Sequence, residues 1–137
     1  MMPPTTIGHF RNLTLFISST LLCVGCSSIH TKTPEGKPIL MSEADFAAYF
    51  ERVFRHHNTV VNESMYTISP AHDSGDPVAN AEIKMDHACQ PLNEAASAAA
   101  TGETPDFWKK MELLDAVPEC EAATRRLEKL LSIDKQP

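Results

Sequence analysis

At 137 residues the chain has room for one domain. Its 12 basic and 18 acidic residues give a net charge of −6, an acidic balance that argues against nucleic acid as a partner. A hydrophobic share of 42 %, with 10 prolines and 5 glycines, excludes a disordered or low-complexity chain.

Residues 1–25 read as three parts: a polar start ending in Arg11, an apolar run over 13–24, and the small residue Gly25 before Cys26. A transmembrane helix needs about 20 apolar residues, whereas about 7 to 15 suffice for the core of a signal peptide. The run fits the second. Since this stretch holds Arg11 and no acid, its removal leaves 11 basic against 18 acidic residues, a net of −7. Leu22-Cys23-Val24-Gly25-Cys26-Ser27 resembles a bacterial lipobox, with Cys23 where Leu is preferred. That resemblance implies cleavage after Gly25, with a diacylglycerol thioether on Cys26 and an acyl chain on its new amino group. Two or more acyl chains anchor a protein stably. By the same resemblance, Ser27 in place of Asp implies sorting to the outer membrane of a Gram-negative cell. The domain then faces the periplasm, with the cell surface as the alternative. The rivals are a plain signal peptide cut near Gly25 and an uncleaved anchor.

Residues 26–41 are expected to be the lipidated cysteine and a flexible tether, because Pro34, Gly36 and Pro38 punctuate a stretch rich in Ser, Thr and Lys. An α-helical domain should follow over residues 42–134. Ser42 is suited to cap its first helix, with Glu43 and Asp45 in the first turn where the helix dipole favours acids. Phe46, Tyr49, Phe50, Val53, Phe54, His57, Val60, Val61 and Met65 then recur at spacings of three and four, one apolar stripe ending near Ile68. Residues 69–77 have loop chemistry.

Asp76-Pro77 is a cap followed by Pro at the first helical position, opening a second helix that Gly102 terminates. Pro91 should kink or break it. Thr104-Pro105 opens a short third helix with Phe107, Trp108, Met111, Leu113 and Leu114 on its apolar side, and Val117-Pro118 should interrupt it. A fourth helix then starts at Pro118, with Glu119 and Glu121 in its first turn. No sustained period-two alternation predicts a strand.

Cys89 and Cys120 are the cysteines left once Cys23 is removed and Cys26 alkylated, so in an oxidising compartment they should pair. A bridge across 30 intervening residues is worth about 3–4 kcal/mol on the loop-entropy model. The rivals are two separate buried thiols or a redox centre. His56, His57, His72 and His87 lie near Asp73, Asp76 and Asp86, but adjacent His56 and His57 point about 100° apart on a helix and no His-x-x-x-His pair exists. No metal, cofactor or catalytic residue is therefore assigned. His57 is expected in the core and His56 in water.

Cys89-Gln90-Pro91-Leu92-Asn93-Glu94, followed by Val117-Pro118-Glu119-Cys120-Glu121, resembles small Gram-negative lipoproteins of proteobacteria, a group that implies a compartment and no particular chemistry. The expected fold is all-α: a small irregular antiparallel bundle of three to four helices with one intramolecular disulfide. The expected role is a non-catalytic accessory or protein-interaction module at the outer membrane, held through Cys26 and engaging an envelope protein. The alternatives are a periplasmic small-ligand-binding domain and an inhibitor of an envelope enzyme.

Overall fold

The computed structural model describes residues 28–67 and 75–134. The expected signal peptide, Cys23, Cys26 and most of the expected loop with His72 lie outside the described residues. Within them the order is β1 (Ser28–Lys32), β2 (Pro38–Ser42), α1 (Glu43–Thr67), α2 (Pro77–Ala100) and α3 (Phe107–Asp134). Three helices make the body, and a two-stranded antiparallel sheet is added to it. The all-α expectation is corrected accordingly.

The hairpin replaces most of the expected tether. Thr33-Pro34-Glu35-Gly36 closes with a hydrogen bond from the Gly36 amide to the Thr33 carbonyl (2.8 Å), and the Thr33 amide donates to the Lys37 carbonyl (2.8 Å). Pro34 takes the first central turn position, which its ring favours, and Gly36 takes the left-handed one at φ 82°. The turn residues that suggested a loose linker therefore set the register Ser28↔Ser42 through Lys32↔Pro38. Ile29, Thr31, Ile39 and Met41 are half-buried, while His30 and Leu40 between them face water.

Each helix start has a physical cause. The Asp45 amide donates to Ser42 Oγ (3.1 Å) while the Ser42 hydroxyl donates to Asp45 Oδ2 (2.6 Å), so Ser42 caps α1 as expected. Asp76 caps α2 by accepting from the Val78 amide (2.9 Å), with Pro77 behind it. At the other end of α2, Gly102 adopts φ 79°, and the Glu103 and Gly102 amides donate to the Ala98 and Ala99 carbonyls, a Schellman closure. The cap of α3 is Asp106, whose carboxylate accepts from the Lys109 amide (2.9 Å), in place of the expected Thr104.

Neither internal proline ends its helix. α2 continues through Pro91, and the expected third and fourth helices are one helix running through Pro118. Pro118 has no amide hydrogen to give the Leu114 carbonyl four residues back. Thr31 of β1 supplies the donor, its hydroxyl bonding to that carbonyl oxygen.

The core runs along one face of each helix: Tyr49, Val53, His57, Val60 and Ser64 of α1; Ala81, Met85, Cys89 and Leu92 of α2; Leu113, Val117, Cys120, Thr124, Leu127 and Leu131 of α3. Fully burying a side chain such as Leu127 or Met85 contributes about 1.5–3 kcal/mol. α2 and α3 share the most extensive interface. The Cys89–Cys120 disulfide crosses it, with an S–S distance of 2.02 Å and Cα atoms 4.6 Å apart, and both cysteines are wholly buried. Phe107, Trp108 and Met111 depart from expectation. They face outward, as does Met65 at the end of α1.

Candidate functional site

The hairpin leans on α1 and α3 and leaves a cleft of about 500 Å³, lined among others by Glu35, Met41, Tyr49, Arg52, Glu121 and Arg125. At its floor is the Glu121 carboxylate, 5 % exposed. It accepts from the Tyr49 hydroxyl (2.7 Å) and from the Arg125 guanidinium (2.6 Å), with Arg52 3.8 Å away. The Arg52 guanidinium lies 5.1 Å above the Tyr49 ring, and Arg125 reaches on to Glu35 in the hairpin turn (3.4 Å). Five side chains from three segments converge on this point.

Burial, reinforced by the hydrogen bond to Glu121, pushes the Tyr49 hydroxyl far above its ordinary range, so it serves as a donor and not as a base. The cationic groups are turned toward Glu121 and Glu35. The cluster thus acts first as a clamp that fixes α1 and the hairpin to α3. Sequence reasoning placed Glu121 at a helix start beside Glu119, whereas both stand well inside α3. Glu119 pairs with Lys32 (3.0 Å), which also holds Asp115 (3.1 Å). The i,i+4 spacing of Glu121 and Arg125 was the available signal for part of the cluster.

A second convergence lies in the core. A His57 ring nitrogen and the sulfurs of Cys89 and Cys120 lie within 4.8 Å of one another. The sulfurs are bonded to each other, so in the disulfide form His57 alone of the three retains ligand capacity. Its Nδ1 is buried without a hydrogen-bond partner among the described residues, and Nε2 lies 3.5 Å from the Asn93 amide nitrogen. Burial holds the His57 pKa below its ordinary value. As expected His57 lies in the core, 4 % exposed, but His56 is only half-exposed and meets Glu128 at 3.1 Å. His87 is exposed on α2 and takes part in neither group.

No family model, no curated protein and no solved structure matches the chain.

Proposed function

We propose that this chain is a non-catalytic lipoprotein of the Gram-negative outer membrane, held by acyl chains on Cys26, with the helical domain acting as an accessory or protein-interaction module. The observation that carries the reading is Gly25-Cys26 at the end of the apolar run 13–24, preceded by Arg11. The cleft supports the non-catalytic part of the proposal, because its charged groups are engaged with one another across α1, α3 and the hairpin turn. An acidic body argues against nucleic acid.

One observation favours a second reading, a binder of a small ligand: the cleft is of the size that such ligands occupy, about 300–1,000 Å³. Labelling with a fatty-acid probe tests the lipoprotein reading. Wild-type protein should be labelled, and Cys26→Ser should abolish labelling and accumulate precursor. Unchanged labelling of the variant overturns the lipoprotein. Crosslinking in intact membranes should then capture an envelope protein, and Arg52→Ala should leave that capture intact if the cleft is only a clamp.

A further inference from the structure

The first two turns of α3 carry an uncovered apolar surface. Phe107, Trp108 and Met111 are 65 %, 77 % and 47 % exposed, and the Phe107 and Trp108 rings meet edge to face with centroids 5.4 Å apart. The reason is a difference in where the helices begin. α1 runs in the same direction as α3, with Tyr49 at Glu121 and His56 at Glu128, each 72 positions apart. On that offset Glu43, the first residue of α1, is level with Asp115. Phe107 stands eight residues earlier, about 12 Å further along the axis. No part of α1 reaches it.

The chain enters the fold at this same end. Trp108, Met111, Asp115 and Glu119 occupy one row of α3 at i, i+3, i+7 and i+11. β1 lies against that row, with Lys32 on Asp115 and Glu119 and Thr31 on Leu114. Ser28, at the start of β1, pairs with Ser42, the residue before α1. Cys26 precedes Ser28 by two residues, a reach of at most about 7 Å.

We propose that Phe107, Trp108 and Met111 form a membrane-docking surface that rests in the headgroup–acyl boundary of the bilayer in which Cys26 is anchored; this rests on the lipoprotein reading above. Trp has an apolar body and a polar N–H, the combination that settles at membrane interfaces, and Phe and Met add buried apolar area. Asp106, Glu112 and Asp115 stand beside Lys109 and Lys110 in this stretch, so attraction to anionic lipid is weak. Apolar insertion into zwitterionic lipid holds the surface down, and it is insensitive to salt. The domain therefore sits on the bilayer in a fixed orientation, its α3 start downward, in place of hanging from a tether.

Trp108 is the single tryptophan of the chain and reports on its own position. Processed protein purified from membranes is reconstituted into phosphatidylcholine–phosphatidylethanolamine vesicles with or without brominated acyl chains. Trp108 emission should shift to the blue and lose more than half its intensity to the bromines. It should also become several-fold less accessible to acrylamide, equally in 0.1 and 1 M salt. The Phe107→Ser/Met111→Ser variant should return Trp108 to water. A protein that floats with the vesicles while Trp108 remains open to acrylamide and untouched by bromine overturns the docking surface and leaves the anchor standing. Acrylamide protection that depends on protein concentration, without bromine quenching, assigns the surface to a second copy and overturns the proposal as well. Failure to float reads the anchor separately.

Discussion

The Thr31 hydroxyl donates to the Leu114 carbonyl, the acceptor that Pro118 leaves without a helical donor, so a strand 83 residues away completes the interior of α3. A helix interrupted by proline normally loses a hydrogen bond and bends. Here the lost bond becomes the attachment point of the hairpin, with the Lys32 ion pairs one residue further on.

Replacing Thr31 by Val keeps the shape and removes the donor. The expected cost is about 1–2 kcal/mol, with faster amide exchange in β1 and β2. Pro118→Ala offers the same carbonyl a helical N–H, so Thr31→Val should cost less in that background. Urea unfolding of the four proteins measures the coupling, and strictly additive costs would show that the two residues act independently.

The Cys89–Cys120 bridge should appear as joined peptides in non-reducing mass mapping. Cys89→Ser together with Cys120→Ser should lower stability by about 3–4 kcal/mol in the loop-entropy account. Two free, alkylatable thiols in protein isolated without reductant would contradict the bridge.

Glu121→Gln keeps an acceptor for Tyr49 but leaves Arg125 and Arg52 facing a neutral amide. Both arginines are more than half exposed, so water screens the charge they keep, and the expected cost is about 1–2 kcal/mol. The expected signature is a lower unfolding midpoint together with loosening of the hairpin turn, since Arg125 also holds Glu35. An unchanged midpoint would mean that the cluster is not the clamp described above.

Much of the helical body was legible because period and caps agree: the buried series Tyr49, Val53, His57 and Val60 follows the helical repeat, and Ser42 and Asp76 cap where their side chains say they should. What misled was local chemistry overruled by distant partners. Pro118 reads as a break unless Thr31 is known to stand over Leu114. Pro34 and Gly36 read as linker, although a Gly-containing loop of five residues, Thr33 to Lys37, between the runs ending at Lys32 and starting at Pro38 is also a hairpin signal. Leu40 obscured the alternation, being apolar yet exposed. The cleft was illegible for a different reason, since Tyr49, Glu35 and Glu121 come from three elements whose docking no local pattern encodes. The exposure of Phe107, Trp108 and Met111 likewise depends on where α1 begins, not on their own spacing.

His57 gives a prediction in pH. Burial disfavours its charged form, the nearby His56 adds to this, and Asp86 opposes it, so the folded protein holds the ring neutral below its ordinary pKa of 6.5. The unfolded chain takes up the proton near 6.5. Folding is therefore at full strength above 6.5 and weakens as pH falls through that value toward the lower folded pKa, because the unfolded state binds the proton first. His57→Leu removes the titrating group and the unpartnered Nδ1 together, leaving an apolar side chain of similar bulk against the disulfide. Near pH 8 the variant should lie within about 1.5 kcal/mol of wild type. On acidification to pH 5 the wild type should lose ground relative to it, and the difference between the two urea midpoints should change most between pH 6.5 and 5. Two curves that stay parallel across that interval would show that His57 takes up its proton alike in the folded and unfolded states.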